Sequence, residues 1–249
     1  MTRVGLTAAF ALLALLLGGC GSSSSGGAPA LGEAAERTLE EQSARISWDE
    51  ELGRFHGKVS FASQEADISG PGERALYTPT HVYKSHPYPD PITGKKWLRL
   101  PRLKYGTFPD DRLRALPYLA SGATDVTGEI EEEVLGAAAT RYEATVVVDK
   151  ALDAVPEEKR ELTKNALEQD LLGKRAHVTF WIDADGRLRR VGIRIPPGRK
   201  YSRTDPNGNS LTLESGPTTT TDTFDFGDFG VDVDARPPPA DEVGDPTSP

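Results

Sequence analysis

Cysteine is nearly absent from this chain: one residue in 249, Cys20. A disulfide within the chain is therefore excluded, and stability must come from core burial. Basic residues are in deficit, with 29 Lys+Arg against 38 Asp+Glu and a formal net charge of −9. That balance argues against nucleic acid as a partner, and an acidic body is not built to lie flat on anionic lipid. Beyond the first twenty residues no apolar run approaches the roughly 20 residues needed to cross a bilayer. His56, His81, His86 and His177 show no metal-ligand spacing. Ser121-Gly122 and Ser215-Gly216 lack the strand-turn-helix setting of a nucleophile elbow. No carboxylate pair stands out from solvated surface. These absences disfavour an enzyme; no catalytic residue, metal or cofactor is assigned.

What is present begins at the N-terminus. Met1-Thr2-Arg3 precedes an apolar run from Val4 to Leu17, and Leu17-Gly18-Gly19-Cys20 follows. A short basic start, an apolar stretch and small residues before the cleavage point make a secretory signal peptide. A lone cysteine in that place is a lipobox. Residues 1–19 are expected to be removed, leaving Cys20 as an N-terminus that carries diacylglycerol and palmitate-type acyl chains. The protein is then lipid-anchored on the extracytoplasmic face of the cell membrane. Loss of Arg3 makes the mature chain one unit more acidic.

Residues 20–30 comprise the lipidated cysteine and a Gly/Ser tether, Gly21-Ser22-Ser23-Ser24-Ser25-Gly26-Gly27-Ala28-Pro29-Ala30. A flexible chain of ten residues spans on the order of 15–20 Å. Residues 31–236 are long enough for one domain, expected as a monomer. Residues 237–249, Pro-rich and acidic, are expected as a disordered tail.

Within the domain, Leu31 to about Ala44 is predicted as a helix. Strands are predicted over Gly57–Ala62, Arg74–Lys84, Lys95–Leu100, Gly128–Leu135 and Arg141–Asp149, by apolar alternation. A short helix is predicted at Asp110–Leu116, ended or kinked by Pro117. A second helix opens at Val155-Pro156-Glu157-Glu158 with proline in its first turn. Its stripe is Leu162, Ala166, Leu167 and Leu171, and Gly173 stops it. The clearest hairpin is Arg175–Ile182, Asp183-Ala184-Asp185-Gly186, then Arg187–Ile195. Leu211–Leu213 and Thr218–Phe226 are predicted as a further pair. Many antiparallel strands with few helices make an α+β chain with one large, curved antiparallel sheet.

Three motifs have ordinary explanations. Asp183-Ala184-Asp185-Gly186 lacks the twelve-position ligand set of a calcium loop and sits between strands, so a turn is expected. Asp225-Phe226-Gly227 and Asp228-Phe229-Gly230 match a kinase tripeptide without its companions, so a strand end and a turn are expected. Glu129-Ile130-Glu131-Glu132-Glu133 is most simply a solvent face. By alternation, one face of the sheet carries Phe61, Tyr83, Trp97, Tyr142, Val146, Val148, Phe180 and Ile182. A sheet curved over few helices can enclose an apolar cavity; packing of these residues as ordinary core is the alternative.

The ordered set of segments resembles the actinobacterial LppX/LprG-type lipoproteins, which share the LolA/LolB-like fold. The resemblance rests on the lipobox at Cys20, the early helix near Ala34–Thr38, Lys95-Lys96-Trp97-Leu98 and the stretch Ala139–Leu152. It rests further on the helix near Val155, on Phe180-Trp181-Ile182-Asp183-Ala184-Asp185-Gly186-Arg187-Leu188-Arg189-Arg190-Val191, and on Phe224–Gly230 running to Pro237-Pro238. It implies an open half-barrel wrapped over helices and an apolar cavity for acyl chains of a lipid or lipoglycan. It also implies a role in lipid carriage in the cell envelope, with an envelope transporter as a possible partner and no catalytic residues. Candidate cavity-lining residues are Phe61, Tyr83, Trp97, Tyr142, Val146, Phe180 and Ile182, with Leu113, Leu116 and Leu119 as a mobile lid. The segments His86–Thr93 and Arg199–Ser210 look individual to this chain. The alternative function is a non-enzymatic envelope interaction or signalling module with a filled core.

Overall fold

Alternation of apolar and polar residues dominates the computed structural model, most of whose regular structure is strand. It describes residues 27–50, 53–63, 65–85, 88–90, 93–102, 116, 118–157, 160, 163–164, 167, 174–198, 200–204, 210–214 and 216–245. Twelve strands form one open sheet, and a two-stranded hairpin stands apart from it. Helix α1 spans Gly27–Glu40. It is followed by β1 (Ser43–Glu50), β2 (Gly53–Ser60), β3 (Ala66–Gly70), β4 (Glu73–Tyr77), β5 (His81–Ser85) and β6 (Trp97–Pro101). Then come β7 (Ala123–Val134), β8 (Ala137–Val147), the short helix α2 (Val148–Asp153), β9 (Arg175–Asp183) and β10 (Leu188–Ile195). Strands β11 (Lys200–Thr204) and β12 (Ser210–Glu214) make the separate hairpin, and β13 (Thr220–Gly227) and β14 (Val243–Gly244) close the chain.

The sheet order is β14-β6-β5-β4-β3-β2-β1-β13-β10-β9-β8-β7. Every ladder is antiparallel except the two-residue β14–β6 contact, which is parallel. Most neighbours follow each other in sequence, joined by short turns except β5–β6 and β8–β9, the latter connected through α2. The non-local steps are β14 on β6 and β13, which inserts between β1 and β10 and joins the two meanders.

Several boundaries differ from the sequence expectation. Helix α1 ends at Glu40, and Ala44 belongs to β1, because Ala44, Ile46 and Trp48 are buried while Arg45 and Asp49 are exposed. That period of two is a strand period. The stretch Arg74–Lys84 is two strands. Thr78-Pro79-Thr80 turns between them, with the Thr78 N–H donating to the His81 carbonyl at 2.9 Å. Proline at the turn has no N–H to lose. Strand β3 is short and was not anticipated. Leu211–Leu213 lies in β12 and pairs with β11, whereas β13 pairs with β1 and β10. Of the two later predicted helices, 110–115 lies outside the described residues, as do Leu162, Ala166, Leu171 and Gly173. Residues 118–121 are helical, beyond Pro117.

The β9–β10 hairpin forms as expected. Gly186 has φ +78°, a conformation a side chain disfavours. The Asp183 carboxylate accepts the N–H of Asp185 at 3.0 Å and of Arg187 at 2.9 Å, which holds the turn closed.

The terminal segment also departs from expectation. Residues 237–249 are expected as a disordered tail, yet the described part, 237–245, is bound to the sheet. Ser43 donates to the Val231 carbonyl, Lys58 to that of Asp232 and Lys95 to that of Asp241. A 3-10 turn at Ala240–Glu242 leads into β14, and Arg99 grips Asp245 through two bonds of 2.7 and 2.8 Å. The segment thus runs from β1 and β2 across to the edge strand β6. Prolines remove donors that a ladder would need, so carbonyls carry most of the attachment.

The Arg99 guanidinium holds the Asp245 carboxyl below the ordinary carboxylate range. A depressed folded pKa contributes stability above the unfolded value and loses it as pH falls through the folded one. Acidification below the carboxylate range should therefore loosen β14, and Arg99→Gln should loosen it already at neutral pH. Amide protection of residues 242–245 reads this; unchanged protection in the variant would contradict it.

Candidate functional site

One face of the sheet carries the main core; it is called the inner face below. A transverse row crosses six strands there: Tyr142 opposite Phe180, Phe180 opposite Val191, Val191 opposite Phe224, Phe224 opposite Trp48 and Trp48 opposite Phe55. Trp48 and Phe55 stack with centroids 5.0 Å apart and planes within 5°. Cross-strand aromatic and β-branched pairs of this kind stabilise a sheet locally. A second row runs Phe226, Ile46, Gly57, Ile68 and Ala75. A side chain at Gly57 would begin 2.8 Å from Ile68 Cδ1, so the absence of one lets Ile68 lie across that strand.

Helices cover this face with small residues. From α1 come Leu31, Ala34 and Ala35, from α2 Val148 and Ala151, and from 118–121 Leu119 and Ala120, all buried in one contiguous cluster. Thr38 ties α1 to the sheet. Its hydroxyl donates to the Ala34 carbonyl and accepts the Leu188 N–H, both at 2.8 Å, in a fully buried position. A buried backbone N–H is thereby satisfied by the helix that packs on it.

The expected site residues divide between two places. Val146 and Phe180 are fully buried in the main cluster, and Tyr142, Ile182 and Phe61 are partly buried against it. Leu116 and Leu119, expected as a lid, are buried in the same cluster; Leu113 lies outside the described residues. Tyr83 and Trp97 lie elsewhere. They pack with Leu76 and Val243 in a small second cluster on the opposite face, beneath the terminal segment. Trp48, Phe55, Val191, Ile193, Phe224 and Phe226 belong to the inner face and were not proposed. The alternation in 43–50 and 220–227 carried that information.

The opposite face near β8, β9, β10 and β13 is a polar network. Asp225, 3% exposed, takes Arg190 through Nε and Nη2. That bidentate bond holds the Arg190 guanidinium above its ordinary range against partial burial. Arg190 lies over the Trp181 ring at 5.7 Å. Trp181 Nε1 donates to Glu132 at 2.8 Å, and Glu132 also takes Arg141 at 2.7 Å. The two faces are thus chemically opposite: an apolar one under helices, and one laced with ion pairs. Among the described residues, no group of three or more His, Cys, Asp or Glu is placed to hold a metal ion.

No protein-family model and no curated protein matches the sequence. Among solved structures, LprF from Mycobacterium bovis matches with a TM-score of 0.54 at 15% identity, over 88% of this chain and 99% of that one. Lipoprotein LppX from Mycobacterium tuberculosis aligns with a TM-score of 0.49 at 13% identity, over 84% of this chain and 99% of that one. The open twelve-stranded sheet, its few helices and its match to LprF over nearly the whole of that structure give one conclusion: this chain has the LppX/LprG-type, LolA-like fold.

Proposed function

We propose that this chain is a membrane-anchored extracytoplasmic lipoprotein that binds the acyl chains of a lipid or lipoglycan between the sheet and its helices. The supporting observation is the inner face itself, an apolar surface continuous from Tyr142 on β8 to Phe55 on β2. Acyl chains would leave water at about 25 cal/mol per Å² of apolar surface covered. The reading is of a passive carrier; among the described residues of that face the side chains named are apolar. Lining residues are Tyr142, Val146, Phe180, Ile182 and Phe61, joined by Trp48, Phe55 and Phe224. The anchor at Cys20 would restrict hand-over to lipids and partners near its own membrane, and carriage within the envelope would follow.

Native mass spectrometry of the protein purified from membranes should show a co-purifying mass that fragments to fatty acids. A well-folded protein with no bound lipid, and no uptake of a fluorescent acyl probe, would overturn the proposal.

A further inference from the structure

Three arginines at the start of β10 and in the turn before it, Arg187, Arg189 and Arg190, have very different surroundings. Arg187 is engaged by Asp183, Asp185 and Glu41. Arg190 is engaged by Asp225. Arg189 lies between them, is only 9% exposed, and its Nε has no hydrogen-bond partner. The nearest carboxylate oxygen, Asp183 Oδ2, is 4.0 Å away, beyond hydrogen-bond reach. That oxygen already accepts Arg187 Nε and Nη2 at 3.1 and 3.0 Å. A buried guanidinium without an acceptor is costly, and buried polar groups are ordinarily satisfied.

The position has a backbone cause. Leu188 pairs with Ile182 and Arg190 with Trp181, so the ladder slips at Arg189, a β-bulge. Bulges re-aim a side chain and are frequent beside functional sites. The bulged guanidinium meets the Phe229 ring at 5.5 Å, and Arg187 lies over the same ring at 4.7 Å. Arg189 Nη2 is 3.9 Å, and Leu135 Cδ1 3.3 Å, from where a side chain would begin at Gly227. Because residue 227 has no side chain, the space beside Nη2 is not filled from β13. Phe229 packs against the main apolar cluster, and Leu188 and Val191, flanking the pair Arg189-Arg190, are fully buried in it. Through Phe229, the Arg189 cation, whose one carboxylate contact is the 4.0 Å approach to Asp183, adjoins the edge of the apolar cluster.

We propose that Arg189 is the anchor for a phosphate-type oxyanion, with the phosphate of an amphiphile's headgroup as its occupant when acyl chains fill the interior. The lipid source of that phosphate rests on the function proposed above. A planar guanidinium fork matches a tetrahedral oxyanion through two parallel bonds. Arg187 keeps its carboxylates and positions Phe229; Asp183, spanned by Arg187 and two backbone N–H groups, leaves Arg189 to the ligand. Entry of the oxyanion to the buried Nε requires Phe229 or the half-exposed Leu135 to shift.

The test compares three probes on the full chain: inorganic phosphate, dioctanoyl phosphatidylglycerol and the uncharged dioctanoylglycerol, the lipids below their micelle concentrations. The charged lipid should bind about tenfold more tightly than the neutral one, since a hydrogen bond to a charged group is worth at least about that factor. Arg189→Gln should abolish the preference, leave dioctanoylglycerol affinity unchanged, and melt no lower than the parent without ligand. Arg189→Lys, which keeps the charge but loses the fork, should retain part of the preference, and it carries the test if the glutamine variant does not fold. Phosphate that raises the Tm of the parent but not of Arg189→Gln, with both lipids bound equally, supports the site with free phosphate as occupant. Equal lipid affinities with no phosphate effect overturn the site and leave acyl binding standing. Failure of both lipids to bind overturns the proposed function instead, and the phosphate arm then decides the site alone.

Discussion

Replacing Cys20 with alanine should move the protein from the membrane fraction to the soluble one. The expected effect is the largest available in this chain, because all membrane attachment is assigned to that residue. Each buried acyl CH₂ contributes about 0.8 kcal/mol, one chain anchors only marginally, and two or more anchor stably. Removing the attachment site removes every chain at once. The acidic balance of 38 Asp+Glu against 29 Lys+Arg supplies no compensating attraction to anionic lipid. Fractionation followed by immunoblotting reads the outcome. Uptake of an acyl probe by the released protein should equal that of the anchored one, since the inner face is built wholly from residues after Gly27. A variant that stays with the membrane would show that another surface holds the protein there. A variant that is released but no longer takes up the probe would show that the anchor also shapes the binding face.

Asp225→Ala should be the most damaging single change among the ion pairs. Asp225 is 3% exposed, and its side chain holds Arg190 by two bonds. Removing one partner of a fully buried pair costs about 3–5 kcal/mol, because the other charge stays behind without a partner. The Arg190 side chain keeps 33% exposure, so water recovers part of that cost. A loss of roughly 2–3 kcal/mol is expected, hence a Tm lower by about 5–10 °C for a domain of this size. Arg190 also lies over Trp181, whose indole N–H reaches Glu132. Trp181 fluorescence should therefore respond to the substitution even before the protein melts. Asp225→Asn keeps one acceptor and should restore part of the stability. A thermal melt of Asp225→Ala within a degree of the parent would show that the pair contributes little.

Asp225→Ala and the oxyanion site proposed at Arg189 concern one strand neighbourhood in different ways. Asp225 on β13 and Arg190 on β10 clamp the ladder that joins the two meanders of the sheet. The preceding residue in the chain, Arg189, is displaced by the bulge and has no such two-bond carboxylate partner. A lattice of ion pairs on one face thus coexists with a buried guanidinium whose Nε has no acceptor and whose nearest carboxylate oxygen is 4.0 Å away.

The sequence carried much of the architecture. The β9–β10 hairpin was legible because Ala176, Val178 and Phe180 alternate cleanly up to an Asp-Gly turn, and both signals are local. The antiparallel α+β class followed from many short strands with few helical patterns between them. The two Asp-Phe-Gly tripeptides were rightly assigned to a strand end and a turn, since β13 ends at Gly227 and Asp228 has φ +43°. Strand β1 was missed because its apolar positions continue directly from a helix. The register of three residues, Ala44, Ile46 and Trp48, is too short to overrule that continuity.

By itself, the sequence determined an acidic body and a strand-rich α+β class read from apolar alternation, and it carries the proposed address through a lone cysteine in a lipobox setting. Tertiary structure alone decided which face each side chain serves. Tyr83 and Trp97 have the alternation of lining residues, yet they lie across the sheet from Phe180, with Leu76 and Val243. The physical reason is that side chains change face at every residue, so an unseen turn at Thr78–Thr80 or a bulge at Arg189 resets the assignment. Neither event alters hydrophobic content. Both alter which residues meet a ligand, and only the completed ladder records them.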